Sequence, residues 1–432
     1  MRKKESVSIG LMGLGVVGSG VAQTLFEKAD AIAQQIGCPL QIKRILVRDP
    51  NKKRAIDVSA SVLTTDPRQI LNDPEIDIVI EVIGGEAEAY EYIKEAVKKG
   101  KHVVTANKEV ISKHSLELFA LASKHKVDIR YEASVGGGIP LIAPFKRDLL
   151  ANNILAIHAI INGTTNYILT RMAKDELDFD TALKQAQELG YAEANPANDV
   201  DGVDAAYKLA ILATLAFRTE IHPDDIHYEG ISRLTARDFR YAKELGYAIK
   251  LLAIAKKEKN SIQVRVHPAF VSEDVLLANV DGVFNAIQVE GDLIGRVIFY
   301  GRGAGSLPTA SAVVADVIQL AQNIKLGMHP RPQLKLHKAK KLKPISQIKT
   351  RYYLRITVAD HPGVLAQISK ILGDHLISIA SVIQKESDQK AGTAEIVIMT
   401  HPARESALQK ALKRTEKLEV VKEIGNFIRV ED

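Results

Sequence analysis

Six polar residues fall within twelve positions of this 432-residue chain: Glu193, Asn195, Asn198, Asp199, Asp201 and Asp204. An apolar helical stretch follows, with a single lysine, Lys208, near its start. A lysine among apolar neighbours can offer a proton and a positive charge to an oxygen. Asp204 and Lys208 are four residues apart, which puts them on one face of a helix. The ordinary reading of that spacing is a surface ion pair. The run "AAYKLAILATLAF" is apolar nearly all round, however, and draws Lys208 toward the interior, where an ammonium is costly unless paired.

A second chemical pattern lies near the N-terminus, in "IGLMGLGVVGSG". It carries Gly13-Leu14-Gly15-Val16-Val17-Gly18 at the junction of an apolar strand and a helix. The first glycine permits the tight turn, the second lets a pyrophosphate reach the backbone, and the third lets helix and strand pack closely. The phosphates would sit on the helix N-terminus. Cofactor choice falls to "LVRDPNKKR". There Asp49 suits a ribose 2′-hydroxyl, while Arg48, Lys52, Lys53 and Arg54 suit a 2′-phosphate. The cationic surroundings favour NADP(H), with NAD(H) possible.

The elements that must position these residues are legible too. Up to residue 140, short apolar strands alternate with helical stretches, the pattern of a doubly wound parallel sheet of Rossmann type. From about Leu141 the texture shifts to long helices and alternating strands, an α+β domain over 141–305. The helix at 306–325 is expected to pack back on the first domain. A basic linker follows at 326–350, densest at Lys335–Lys349. Residues 351–432 read β-α-β-β-α-β, a ferredoxin-like module. The net charge of +6 is spread out, tryptophan is absent, and no aromatic residues interleave with the basic run, so nucleic acid is not expected as a partner. No apolar run reaches the ~18 residues of a membrane span. The N-terminus lacks the pattern of a signal peptide. The only cysteine, Cys38, excludes an intrachain disulfide; a reducing cytoplasm is the expected location.

The run from Ala186 through Gly190-Tyr191-Ala192-Glu193, Asn195-Pro196, Asp199-Val200, Gly202 and Asp204 to Lys208 resembles the signature of homoserine dehydrogenases. "TANK" at 105–108, "EASVGGGIP" at 132–140, "INGTTNYIL" at 161–169 and "YGRGAGSLPTASAVVADV" at 300–317 agree with it. The resemblance spans residues 7 to 323 and is closest to the monofunctional bacterial form. It implies interconversion of L-homoserine and L-aspartate 4-semialdehyde with NAD(P), on the way to threonine and methionine. It further implies Lys208, Asp204 and Lys108 as catalytic residues, and Glu193 and Asp199, with Asp204 and Lys208, as substrate residues. Gly190 and Gly305 would border the cofactor. A monovalent cation, sodium by resemblance, would be held by Glu132 and the carbonyls of Val135, Gly137 and Ile139; from the glycines alone, a hinge is the plainer reading. The residues themselves leave open a related dehydrogenase of another small amino acid, or a non-catalytic amino-acid sensor.

"ITVADHPGVLAQISKILGDHLISIASVIQ" resembles an ACT domain, an amino-acid-sensing module. Asp360, Pro362, Gly363 and Val364 form its strand-to-helix turn, where backbone N–H groups can take a carboxylate. The resemblance implies a homodimer or homotetramer, and the pathway suggests L-threonine as effector; a pure dimerisation role for the module also fits.

Overall fold

The structure is a computed structural model and describes residues 5–54, 56–328, 341–388 and 390–431. Part of the expected linker, residues 329–340, therefore lies outside the described residues. The chain forms two compact units. One comprises Met1–Ile154, Tyr207–Pro223 and Glu290–Ala339; the other comprises Leu155–Ala206, Asp224–Val289 and Lys340–Asp432.

The first unit is built on a six-stranded sheet. Its order is Leu63–Thr64, Leu40–Leu46, Val7–Met12, Ile78–Glu81, His102–Thr105 and Ile129–Arg130, all parallel. The order reverses beside the first strand, and ligands of such sheets bind beyond the strands' carboxyl ends at that point. The central strands are apolar on both faces because helices cover both. Val7, Ile9 and Leu11 share one core with Val21 and Leu25 of the helix Val16–Glu27 and with Val313, Val317 and Leu320 of the helix Ser306–Lys325. Full burial of one such side chain stabilises by roughly 1.5–3 kcal/mol. The two helices meet closely at Gly20, where a Cβ would come within 2.6 Å of Ser306 Oγ.

The second unit holds a mixed sheet. Its strands run in the order Phe284–Gly291, Ile154–Ile160, Tyr247–Lys257, Ser261–Ser272, Val421–Glu431, Lys349–Ala359, Thr393–Thr400 and Ile379–Asp388. The last four are the C-terminal module, in the 4-1-3-2 order of a ferredoxin-like fold. The module thus shares one sheet with the strands that precede it: Val421–Glu431 pairs parallel with Ser261–Ser272, Ala269 opposite Arg429. Helices Val364–Asp374 and Glu405–Thr415 cover one face of the module over Leu354, Ile356 and Ile398.

Candidate active site

In the first unit, Gly13, Leu14, Gly15 and Val16 line a groove of about 770 Å³ with Arg48 and Asp49 at its walls. The turn is written in glycine for steric reasons. Gly13 has φ 102°, and a Cβ there would press on the Val82 carbonyl at 2.7 Å. A Cβ on Gly18 would lie 2.1 Å from the Gly13 oxygen. Gly15 has nothing within 4 Å of where a Cβ would stand, so its bare backbone faces the groove. Gly18 lies beneath the turn, and Val17 packs on the core. These residues fit a dinucleotide pyrophosphate. Gly305, at φ 125°, starts the helix Ser306–Lys325, and Ser306 Oγ donates to the Val16 carbonyl at 2.7 Å. Ser306 lines the groove as well, and nothing in the sequence reading singles it out. At the far end, Asp49 accepts from the Asn51 amide at 2.8 Å, while Arg48, Lys52, Lys53 and Arg54 surround it.

Lys108 is the first residue of the helix Lys108–His125, directly beyond the strand His102–Thr105. Asn107 caps that helix, its side chain accepting from the Glu109 and Val110 amides at 3.1 Å each. Its amide donates to the Gly85 carbonyl at 2.6 Å. Behind it, the Thr105 hydroxyl donates to Glu81 at 2.5 Å and accepts from the Asn107 amide. Glu81 is wholly buried, and burial pushes its carboxyl up against the pull of the Thr105 and Ile83 hydrogen bonds. This Glu81–Thr105–Asn107 chain fixes where Lys108 leaves the sheet. Glu81 reads in sequence as an ordinary strand residue.

In the second unit, the loop after the helix Phe179–Glu188 carries Gly190, Glu193, Asp199 and Asp204. Gly190, at φ 75°, lets the chain turn out of that helix. Glu193 is exposed; Asp199 is half-buried on the short helix Ala197–Val200; Asp204 is only 6% exposed. One amide holds the last two. Asn162 Nδ2 donates to Asp199 at 2.7 Å and to Asp204 at 2.9 Å. The Asn162 side-chain oxygen accepts from the Thr165 amide and caps the helix Gly163–Lys174. The sequence shows Asn162 within a motif but gives it no role. Its cue is that an asparagine followed by Gly-Thr-Thr is a helix N-cap. Asp204 and Lys208 lie on one continuous helix, Val203–Phe217. Lys208 is half-buried rather than fully interior, between the buried Ala206 and Leu209.

The glycine turn after Glu132 belongs to the first unit. The Glu132 carboxylate accepts from the Leu141, Ile142 and Ala143 amides at 2.5, 2.8 and 2.7 Å, so it caps the helix Ile142–Lys146. That leaves its backbone carbonyl, not its side chain, for any cation. Among the described residues no hydrogen bond runs to the carbonyls of Val135, Gly137 or Ile139. The turn is too crowded for side chains: a Cβ on Gly137 would lie 2.5 Å from the Gly303 oxygen. No group of three or more His, Cys, Asp and Glu among the described residues forms a metal site. In the C-terminal module, Gly363, at φ 92°, precedes the helix Val364–Asp374, with Asp360, Pro362 and Gly363 exposed and Val364 buried.

Sequence profiles of known families match this chain in three places. A homoserine dehydrogenase NAD-binding domain matches residues 13–132, the homoserine dehydrogenase catalytic domain 140–318, and an ACT domain 352–420. A homoserine dehydrogenase of Bacillus subtilis is 40% identical over 427 residues, covering 99% of each chain. The crystal structure of a homoserine dehydrogenase from Thiobacillus denitrificans superposes with a TM-score of 0.93 at 43% identity, covering 99% of this chain and 98% of that one. A hyperthermophilic archaeal homoserine dehydrogenase in complex with NADPH superposes with a TM-score of 0.63 at 29% identity, covering 76% of this chain and all of that one. Two family models that together span most of residues 13–318, with relatives at 40% identity or more over nearly the whole chain, show that the chain belongs to the homoserine dehydrogenase family of NAD(P)-dependent oxidoreductases.

Proposed function

We propose that the acid loop binds the amino-acid end of the substrate and that Lys208 serves the oxygen at its other end. The family reaction converts L-homoserine and NAD(P)+ to L-aspartate 4-semialdehyde, NAD(P)H and a proton. A bound nicotinamide dinucleotide supplies the hydride acceptor in that direction and the donor in the other. Lys208 accepts the hydroxyl proton as the carbonyl forms, and returns it on reduction. Positioned proton transfer of this kind contributes roughly 10²–10⁴-fold. Asp204 orients Lys208 from one helical turn away. Glu193, with Asp199, takes the α-ammonium. Lys108, at the carboxyl edge of the sheet, adds positive charge near the reacting oxygen. The observation that carries this reading is the shared hold of Asn162 on Asp199 and Asp204. A surface ion pair needs no such buried tether.

The cofactor we assign is NADP(H). Arg48, Lys52 and Lys53 frame the far end of the groove, and the Asp49 carboxylate is already bonded within its own turn. The Glu132–Ile139 turn is assigned to a monovalent cation, with the carbonyls of Glu132, Val135, Gly137 and Ile139 as ligands; hard cations take oxygen donors of this kind. The region 141–305 is assigned to substrate binding and dimerisation, and the ACT module to an amino-acid effector, threonine by the pathway, bound at the Asp360–Val364 turn. The decisive assay follows reduced-nicotinamide formation from L-homoserine with NADP+ and with NAD+, for the wild type, Lys208→Ala and Arg48→Ala. Wild-type turnover lost in Lys208→Ala with cofactor binding kept supports the site. A preference for NADP+ that shrinks in Arg48→Ala supports the cofactor. A wild type silent with both cofactors overturns the substrate, and an active Lys208→Ala leaves that lysine a structural partner.

A further inference from the structure

Three buried arginines tie the C-terminal module to the substrate region, and one of them leads to the acid loop. Arg429, on the strand Val421–Glu431, is 2% exposed. Its guanidinium donates to both oxygens of Glu229, at 2.9 and 2.7 Å, and to both oxygens of Glu405, at 2.9 Å each. Glu405 opens the module's second helix and also accepts from the Tyr352 hydroxyl at 2.9 Å. Glu229 belongs to the substrate region. Its carboxyl would be raised by burial alone; the hydrogen bonds from His227 and Arg429, with the Arg429 charge, hold it well below the ordinary range.

The segment after Glu229 lies flush on the acid loop. The Ile231 amide donates to the Val200 carbonyl at 2.9 Å, and the Glu229 amide donates to Val266 at 2.8 Å. Gly230 has no room for a side chain: a Cβ would stand 2.4 Å from the Val200 oxygen and 2.8 Å from the Asp201 Cα. Val200 directly follows Asp199, and Asp204 lies in the first turn of the next helix. A shift of the Glu229 backbone therefore has to move the turn between the two acids, because this contact is backbone on backbone and no flexible side chain absorbs it.

We propose that Arg429 is a positioning residue for the substrate's ammonium pocket, acting through Glu229 and Gly230 on the Asp199–Asp204 turn. The inference rests on the assignment of that loop to the amino-acid substrate. It gives the module a physical route to substrate affinity, since any change in the spacing of Glu405 and the Val421–Glu431 strand is felt by the same guanidinium.

The Arg355 network supplies the control. Arg355 donates to Asp238 at 2.8 Å and to Glu395 at 3.1 Å, both buried, and joins the same two regions at the helix Ala236–Glu244. Glu229→Gln removes the carboxylate charge while keeping an acceptor in place, and Arg429→Lys keeps the positive charge but loses the fork that grips both carboxylates. Both are expected to raise the KM for L-homoserine about tenfold, with the KM for NADP+ and kcat little changed, the loss fitting a charge-assisted hydrogen bond. Asp238→Asn is expected to lower Tm without that KM change. Amide hydrogen exchange across Asp199–Asp204 should quicken in Glu229→Gln and not in Asp238→Asn. This second readout needs no substrate, so failure of the homoserine assignment and failure of the coupling are told apart. If Arg429→Lys does not fold, Glu229→Gln decides. Exchange and KM unchanged in Glu229→Gln, or changed equally in Asp238→Asn, would overturn the proposal.

Discussion

The glycine turn at Gly13–Gly18 and the acid loop at Glu193–Asp204 fix charge by opposite means. The glycine turn works by absence. Its N–H groups reach a phosphate because no side chain intervenes, and the helix Val16–Glu27 adds its positive end. Val16, 73% exposed, leaves the mouth open. The acid loop works by restraint. Its carboxylates would repel one another, and Asn162, the Gly230 contact and the Arg429–Glu229 pair set where they stand. In the proposed function, the first arrangement would accept ligands of one shape and the second would select a charge at one distance. A dehydrogenase of a small amino acid needs both.

The sharpest way to break the comparison is at its chemical end. Lys208→Ala should lower kcat by at least about 10²-fold while NADP+ binding, read by fluorescence titration, stays within a factor of about three. Next in size comes the glycine turn. Gly15→Ala should keep the Tm of the cofactor-free protein, because its Cβ meets nothing within 4 Å, yet weaken NADP+ binding by about tenfold or more. Gly18→Ala should instead lower Tm, since its Cβ would lie 2.1 Å from the Gly13 oxygen. Equal behaviour of the two variants would mean that the turn is a packing device and not a cradle.

Asn162→Ala is the matching cut in the acid loop. It removes both tethers and an N-cap. The KM for L-homoserine should rise roughly tenfold, a net hydrogen bond to a charged group being worth about 1.5–3 kcal/mol. The lost cap should cost about 1 kcal/mol of stability. An unchanged KM would leave the cap as the residue's whole purpose.

Much of this was legible in the residues because the signals are local. The glycine spacing, the strand–helix alternation and the β-α-β-β-α-β order are read within a few residues of each other, and the sheet order bears out the last two. Among the unmarked elements are some whose signal is weak: the strands Leu63–Thr64 and Ile154–Ile160, and the helix Arg68–Leu71, a single turn. The site residues that stayed hidden act over long separations. Glu81 meets Thr105 across 24 residues, Asn162 meets Asp204 across 42, and Arg429 meets Glu229 across 200. The shared sheet of the C-terminal module and the substrate region was equally out of reach, since a parallel pairing of distant strands leaves no mark in either strand alone.

The last comparison concerns how each unit treats a desolvated acid. In the second unit, half-buried Glu229 and buried Glu431 sit against arginines and are held below the ordinary range despite their desolvation. In the first, Asp316 makes no ion pair with an arginine among the described residues. It accepts the Glu132 amide at 2.8 Å, with the Glu132 carboxylate, Arg130 and Lys146 nearby, and burial pushes it up to about 7. Its folded pKa lies above the unfolded value of 3.8, so the folded protein binds this proton more tightly. The contribution to stability is full below about pH 4 and is lost as pH rises toward 7, at up to roughly 1.4 kcal/mol per pH unit. Lys146, which burial lowers to about 8, loses its contribution as pH falls through that value, a separate and higher window. Asp316→Asn keeps an acceptor for the Glu132 amide but cannot titrate. Chemical denaturation from pH 4.5 to 7 should therefore give a flatter stability profile for Asp316→Asn than for the wild type, whereas Glu229→Gln should leave the slope in that window unchanged. Parallel profiles for the wild type and Asp316→Asn would mean that this carboxyl is charged throughout, with Lys146 as its partner, and that the two units treat their buried acids alike.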